Sequence, residues 1–355
     1  MTPVAAVPFY QTKALEDVAA IAAGASAYLV TVEHTYERGP ETAVGPSEKT
    51  ALRLWAPEGT EGRFHEASHE SAVLPPAKSL VMAHQKGRLI AVALLNQSLP
   101  ACLLHADATN LPKIAGFGAP APLALDEAEA AQVQLSVAEI WNTRTLAPQE
   151  WLFHPSVTPI PGTGDVAIAM NTADGHAVAW ISDGMRRSAR AAFVPGALNP
   201  ILVQRGGKNY LLYREMPPGW SIYFHDLRYS THYGPIALPL IMAELDAAGA
   251  AAHKIDLSKE TAGDLAVGSV FDFAAAPGVG NRMALAVIAG STSAPELRVY
   301  VTGESGGALR LLRSAPLRAV PDRLTMAATD KQILLGLAYK GRAAYEVEGL
   351  TAGWE

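Results

Sequence analysis

Paired apolar segments, each pair joined by a short polar turn, recur six times along the chain. They occupy residues 17–33, 79–95, 165–182, 201–215, 269–288 and 323–339. Each pair predicts a β-hairpin, because two apolar strands separated by a few turn residues are typical of that motif. A single hairpin cannot bury both of its faces, whereas several sheets packed radially can. The pattern therefore predicts an all-β fold, a six-bladed β-propeller, with five to seven blades compatible with the spacing.

Further short strands are predicted after the hairpins, as a four-stranded blade requires. Candidates for third strands are residues 49–56, 100–107, 189–194, 219–226 and 296–303, and candidates for fourth strands are 227–238 and 306–317. The two ends of the chain are also expected to pair. A strand from residues 1–13 beside residues 343–349 would remove the open edge of the last blade.

Two segments depart from the β pattern and predict short helical insertions. Residues 125–141 are rich in Ala, Glu and Leu, and residues 239–252 place Ile241, Leu245 and Ala248 on one helical face. No linker divides the chain. We therefore expect a single β-propeller domain over residues 1–355, with insertions near 107–160 and 239–265.

Composition narrows the classes of partner. Hydrophobic residues make up 49% of the chain, charged residues 17%, and the net charge is −6. No basic block interleaved with aromatic residues occurs, which argues against nucleic acid. No apolar run is long enough to insert into a membrane, and no cofactor-binding motif is found. The N-terminus does not resemble a signal peptide. We expect a cytoplasmic protein, or a periplasmic or secreted one if a signal was removed.

One short motif could bind a metal. Residues 65–69 read His-Glu-Ala-Ser-His, and on a helix the two histidines would share a Zn²⁺ while Glu66 polarised the bound water. Nearby Gly62 and Pro75 leave little room for that helix. A polar strand or loop at the end of the first blade is the simpler interpretation, and it predicts no metal.

The densest group of polar and aromatic residues is a candidate binding segment. Aromatic faces can stack on a ligand while charged groups fix its orientation. The alternative is that the aromatic residues pack between blades. The candidate binding residues are Trp220, Tyr223, His225, Asp226, Arg228, Tyr229, His232 and Tyr233.

The same region resembles a known family. Residues 226–240 and 300–317, and more faintly 181–193, are similar to the strand-turn-strand repeat of sialidase-like propellers, which carries a Ser-x-Asp-x-Gly-x-x-Trp box. This resemblance implies a propeller fold. No copy has the complete box, and the family's arginine triad, Asp acid and Tyr-Glu nucleophile have no matching set among Arg53, Arg205, Arg214 and Arg298.

Three functions remain compatible with the sequence. The first is a non-catalytic propeller, of bacterial origin by its Ala-rich and Lys-poor composition, that binds a protein partner as an inhibitor, immunity protein or adaptor. The second is a sialidase-like glycoside hydrolase or lyase that acts on a glycan at the central funnel. The third is a zinc hydrolase that uses residues 65–69.

Overall fold

A computed structural model of the chain describes residues 8–12, 14–37, 47–59, 63–74, 77–95, 102–123, 155–171, 176–183, 192–217, 236–257, 259, 268–304, 306–341 and 344–355. The described residues form strands, turns and irregular segments but no helix, so they provide no helix that could cross a membrane.

Twenty-four strands make up the described fold. The first twelve are β1 Pro8–Thr12, β2 Leu15–Ala23, β3 Ser26–Glu37, β4 Ser47–Glu58, β5 Arg63–Leu74, β6 Ala77–Gln85, β7 Arg88–Leu95, β8 Cys102–Asp107, β9 Ala121–Pro122, β10 Ser156–Pro159, β11 Val166–Asn171 and β12 Ala177–Ser182. The remaining strands are β13 Ala192–Val194, β14 Ala197–Arg205, β15 Lys208–Glu215, β16 Leu240–Leu245, β17 Ala251–Asp256, β18 Val270–Pro277, β19 Met283–Ser291, β20 Ala294–Gly303, β21 Gly306–Pro316, β22 Arg323–Ala328, β23 Gln332–Lys340 and β24 Tyr345–Gly353.

These strands form six antiparallel blades of four strands each. Blades 1 to 5 are β2–β5, β6–β9, β10–β13, β14–β17 and β18–β21, and blade 6 has the order β22-β23-β24-β1. The innermost strands β2, β6, β10, β14, β18 and β22 contact one another in a closed ring and line a central channel. The predicted six-bladed β-propeller is confirmed.

The chain closes its own ring, as predicted. Strand β1 pairs antiparallel with β24, with Tyr10 opposite Val347 and Thr12 opposite Tyr345. The N-terminal strand thus completes the blade built from the C-terminal strands, so the ring has no unpaired seam within blade 6.

The blades pack through apolar side chains on both faces of their inner strands. In β2, Ala19 and Ile21 belong to the cluster shared with blade 2, whereas Val18 packs with Ala338 and Val347 of blade 6. Successive side chains of a strand point to opposite faces, so a strand between two blades must be apolar on both. Each fully buried Val, Leu or Ile contributes about 1.5–3 kcal/mol.

The inner strands all begin at one face of the ring, called here the start face. Asp17 near the start of β2 hydrogen-bonds Ser79 near the start of β6 and Arg323 at the start of β22. Ser156 at the start of β10 hydrogen-bonds Pro200 in the first half of β14. The opposite face carries the tight turns that follow the inner strands and is called the turn face.

In blade 3 the predicted hairpin lies one strand further out than the pattern suggested. Residues 165–182 form β11 and β12, the second and third strands, and the inner strand is β10. Residues 189–194, predicted as a third strand, contribute the fourth strand β13. Strand β10 has four residues between Pro155 and Ile160, so it left no apolar run in the sequence.

The helix predicted over residues 239–252 is wrong. This segment contains β16 and the first two residues of β17, and these strands pair antiparallel across a turn at Gly249 with a φ of 80°. Strand β16 occupies the third position of blade 4, which had been assigned to residues 219–226. The apolar run Leu240–Leu245 fits both the helical period of about 3.6 residues and the strand period of two. Its pairing with β15 shows that it forms a strand.

Several predictions fall outside the described residues. They include the helix over 125–141, all of residues 219–226 and most of 227–238. The single domain over 1–355 and its predicted insertion near 107–160 stay predictions. Of the insertion predicted near 239–265, residues 240–256 belong to blade 4.

Candidate functional site

Four inner strands carry a β-bulge close to the start face. The irregularities lie between Leu15 and Asp17, Ala77 and Ser79, Leu198 and Ile201, and Val270 and Asp272. A bulge inserts an extra residue and redirects the side chains beside it. Together with polar neighbours, these positions form a group at the start face, of which Asn199, Asp272 and Arg323 line the channel. The group is named here the polar collar: Asp17, Ser79, Asn171, Asn199, Arg214, Asp272 and Arg323.

Asp17 is the most completely bonded member of the collar. Its Oδ1 accepts hydrogen bonds from Val18 N at 2.8 Å and Arg323 Nε at 3.0 Å. Its Oδ2 accepts from Ser79 Oγ at 2.6 Å and from Leu80 N at 3.2 Å. One buried carboxylate therefore joins blades 6, 1 and 2, and all of its strong acceptor directions are used.

Asp272 occupies the equivalent position in blade 5 but has a different environment. Its Oδ1 accepts from Phe273 N at 2.9 Å. It lines the channel and is half-buried. Burial raises the pKa of Asp272, while the charges of Arg214 and Arg323 and hydrogen bonds from the backbone of Phe273 and Leu324 act in the opposite direction. The cost of burying this carboxylate thus exceeds the compensation from its neighbours.

A second bonded group connects blades 3, 4 and 5. Arg214, 1% exposed, donates from Nη2 to Asn199 Oδ1 at 3.0 Å and from Nη1 to the carbonyl of Phe271. Asn199 N donates to Asn171 Oδ1 at 2.8 Å. Asn199 has a φ of 52° and precedes Pro200, a left-handed conformation that costs free energy for a non-glycine residue. The bonds of Asn171 and Arg214 hold it in place.

Below the collar the channel is narrow. Alanines of β2, β18 and β22 contribute much of its wall, and its volume is about 90 Å³. Sites for small organic ligands are typically about 300–1,000 Å³. This part of the channel therefore has room for water molecules but not for a sugar ring.

Solved structures with this architecture include both enzymes and binding proteins. The NanB sialidase of Streptococcus pneumoniae aligns over 98% of this chain and 70% of its own, with a TM-score of 0.53 at 8% identity. A lectin of Aleuria aurantia in complex with α-methyl-L-fucoside aligns over 97% and 95%, with a TM-score of 0.50 at 10% identity. The sialidase of Trypanosoma rangeli in complex with sialic acid aligns over 97% and 56%, with a TM-score of 0.50 at 11% identity.

The chain has the fold of the sialidase-like propellers. At these identities the likeness concerns the fold alone, and sialidases and lectins share it. The chain matches no protein-family model and no curated protein sequence.

The predicted binding segment stays a prediction. All eight candidate residues, from Trp220 to Tyr233, lie outside the described residues. The strands on either side are described: Arg214 near the end of β15 pairs with Leu198 and with Leu240 at the start of β16. The connection of residues 216–239 therefore leaves and rejoins the ring at the start face, beside the collar.

The HExxH segment forms part of a strand. Residues 65–69 lie in β5, the outermost strand of blade 1, as the simpler interpretation predicted. Residues four apart in a strand are separated by about 13 Å, too far for two histidines to share a metal. His65 Nδ1 lies 3.1 Å from Glu58 Oε1. Within the described ranges no three metal-binding side chains gather.

The four arginines considered for a sialidase-like triad lie apart. Arg53 pairs with Glu33 and Glu66 in blade 1, and Arg298 pairs with Glu296 in blade 5. Arg205 lies over the ring of Tyr210 next to a turn. Only Arg214 belongs to the collar.

Tyr213 and Arg214 are consecutive residues of β15, and their side chains lie on opposite faces of the sheet. Tyr213 packs into the cluster shared with blade 3, while Arg214 contacts blade 5. Their opposite directions agree with the strand alternation expected from the sequence.

A carboxylate–tyrosine group is present in blade 6. Glu348, with a side chain 4% exposed, lies 3.0 Å from Arg318 Nη2, and the Arg318 guanidinium lies 4.2 Å from the centre of the Tyr339 ring. Burial raises the pKa of both Tyr339 and Glu348. Arg318 thus holds the carboxylate in an ion pair between blades 5 and 6.

Sequence reasoning missed the collar because its members are spread over all six blades. Asp17 and Ser79 are 62 residues apart, and Asp17 and Arg323 are 306 apart. A signal existed nevertheless. Asp17-Val-Ala-Ala and Asp272-Phe-Ala-Ala repeat the same short pattern, in which an aspartate precedes an apolar residue and two alanines.

Proposed function

We propose that this chain is a non-catalytic propeller that binds a protein partner with its start face. The observation that carries the proposal is the bonding within the collar. Asp17 is fully engaged by Arg323, Ser79 and two backbone amides. A group that must accept or donate a proton during catalysis needs access to substrate, and this carboxylate has none.

The size of the channel supports the same proposal. Asp272 and Arg323 line it, but its volume of about 90 Å³ leaves no space for a sugar beside them. The collar therefore acts as a structural closure of the ring, and recognition is assigned to the surface above it.

The lengths of the connections support a macromolecular partner. The two longest, residues 123–155 and 216–239, run between strand ends at the start face. Turn-face hairpins such as those at Lys86-Gly87 and Gly206-Gly207 have two residues. Long connections on a rigid scaffold are typical sites of recognition, and residues 220–233 fall in the second of them.

Glycan binding is the second candidate function. It is favoured by the fold shared with a fucoside-binding lectin and two sialidases. Under this alternative the sugar would bind at the start face outside the channel, and the same aromatic residues of the 220–233 segment would stack on it.

Affinity capture with a matched pair of variants tests the proposal. The wild-type chain is used as bait for lysate and secreted proteins of the source cell, beside a variant with residues 218–235 replaced by a short Gly/Ser linker. We expect one stoichiometric protein on the wild type and at least a ten-fold loss on the linker variant. The control is Val279→Ser, an exposed change on the turn face, which should retain the partner.

The same proteins are then incubated with a glycan array and with fluorogenic glycosides. Glycan binding or hydrolysis that depends on residues 218–235, without a captured protein, would replace the proposal by the glycan alternative. A partner lost equally from the Val279→Ser and linker variants would contradict the assignment to the start face.

A further inference from the structure

The turn face carries an open pocket where blades 1 and 2 meet. Its volume is about 440 Å³, and it lies between the β2–β3 turn, the β6–β7 turn and the segment after β8. The side chains that matter for its chemistry are those of Ser26, Tyr28, His84, Lys86 and Thr109. This volume is within the range of sites for small organic molecules.

The polar groups of this pocket differ in kind. Lys86 is exposed, and within the described residues it makes no ion pair. Burial lowers the pKa of His84, against the effect of a hydrogen bond with the backbone of Ala108. The imidazole is therefore neutral at pH 7 and retains a nitrogen that can accept a hydrogen bond.

The pocket also has an apolar wall. Tyr28 and Leu111 are half-buried against the core cluster of blades 1 and 2, and both line the cavity. An aromatic side chain beside a cation and a neutral acceptor suits a ligand with an apolar face, a hydroxyl group and a negative charge.

Lys86 has a strained backbone conformation. Residues 86 and 87 form a two-residue hairpin turn with φ values of 45° and 75°, the left-handed pair of a type I′ turn. That turn favours Asn or Gly at its first position. The equivalent turn of blade 4 uses Gly206 and Gly207. A lysine here costs conformational free energy, and strain of this kind tends to persist where a side chain has a role.

We infer that the pocket between Tyr28, His84 and Lys86 binds a small hydroxylated carboxylate. The carboxylate pairs with Lys86, a hydroxyl donates to His84, and the apolar face of the ligand packs on Tyr28. This site lies on the face opposite the collar and does not depend on the function proposed for the start face.

A matched pair of probes tests the inference by titration calorimetry or ligand-observed NMR. D-glucuronate and D-glucose differ by a carboxylate in place of a hydroxymethyl group. We expect glucuronate to bind with a dissociation constant on the order of 1 mM, and at least ten-fold more tightly than glucose. Acetate, which lacks the hydroxyls, should also bind at least ten-fold more weakly.

Two variants complete the test. Lys86→Asn keeps a residue suited to the left-handed turn but removes the ammonium, so glucuronate affinity should fall at least ten-fold while the melting temperature stays level or rises. Lys331→Asn removes a positive charge from the neighbouring β22–β23 turn, outside the pocket, and should leave the affinity unchanged. Absent glucuronate binding, equal binding of glucose or acetate, or equal losses in both variants would each overturn the inference.

Discussion

The junction between blades 6 and 1 and the junction between blades 5 and 6 use the same position of the inner strand differently. At the first, Asp17 accepts a bond from Arg323 and three further bonds. At the second, Asp272 is bonded to backbone amides, and burial raises its pKa despite two nearby arginines. Equivalent aspartates thus differ in how well their charge is compensated.

The outer parts of these junctions differ as well. Where the ends of the chain meet, Phe9 stacks on Phe64 with ring centres 4.5 Å apart, and Tyr10 lies 4.5 Å from Trp55. Burial and Glu33 raise the pKa of Tyr10 to about 12, so it remains a neutral packing residue. At the other junction the corresponding space holds Tyr339 with the Arg318–Glu348 ion pair.

The difference follows from the covalent path of the chain. Blades 5 and 6 are consecutive in sequence, so their proximity is maintained by the chain itself. Blades 6 and 1 bring together β22 and β2, which are separated by some 300 residues, and the gain from closing the ring must come from contacts. The closing junction accordingly has the Asp17–Arg323 ion pair and the aromatic group.

Removal of the closing strand β1 should have the largest effect on the free energy of unfolding. Deletion of residues 1–12 removes the β1–β24 pairing together with Phe9 and Tyr10, so we expect a loss above about 5 kcal/mol, since truncating one buried aromatic residue alone costs about 3–5 kcal/mol. Urea denaturation measures the loss. The exposed side chain of Gln11 supplies the control, and Gln11→Ala should change stability by less than about 0.5 kcal/mol. An unchanged melt after the deletion would contradict the closure account.

Loss of the Asp17 carboxylate should have the second-largest effect on the free energy of unfolding. In Asp17→Ala, Arg323 loses its bonded partner and Ser79 and two amides lose an acceptor, so we expect a destabilisation of about 3–5 kcal/mol by urea denaturation. Asp17→Asn keeps the shape and part of the hydrogen bonding and should lose less. Equal stability of Asp17→Ala and the wild type would show that the collar does not hold the blades.

Asp272→Asn should have the smallest effect on stability, and at neutral pH it should stabilise the protein rather than destabilise it. The pKa of Asp272 is raised in the folded state above the ordinary carboxyl value of 3.8. At pH values between 3.8 and the raised pKa, the folded chain therefore holds a proton on Asp272 that the unfolded chain has lost. The aspartate therefore contributes more stability as the pH falls through its folded-state pKa toward 3.8, and opposes folding when ionised at neutral pH.

The asparagine variant removes this dependence. We expect Asp272→Asn to melt at or above the wild-type temperature at pH 7, and its advantage to shrink as the pH is lowered toward 4 in thermal scans. A loss at pH 7 as large as that of Asp17→Ala would show instead that the charge of Asp272 is well compensated.

The sequence predicted the fold where local pattern and tertiary structure agree. All six hairpins form, because their apolar runs are bounded by turns such as Gly24-Ala25 and Gly206-Gly207. The pattern failed at β16, where Leu240–Leu245 fits both periods and pairing with β15 decides. It also failed at β10, because a strand of four residues between Pro155 and Ile160 is too short to produce a recognisable apolar run.

The candidate site was less accessible to sequence reasoning. The collar is assembled by ring closure from residues as far apart as Asp17 and Arg323, and spacing along the chain cannot show such a group. The strain at Lys86 is likewise a property of its backbone conformation, since Lys-Gly in a turn does not by itself define φ. The segment 220–233 was selected by composition and stays a prediction.

The central claim is that the collar closes the ring, while the long connections that leave the ring at the start face bind the partner. The most direct test is the dissociation constant of the captured protein for three folded baits: wild type, Asp272→Asn and the chain with residues 218–235 replaced. The account predicts equal affinity for the first two and at least a ten-fold weaker affinity for the third. Affinity lost in Asp272→Asn, with its melting temperature intact, would place recognition in the collar and contradict the account.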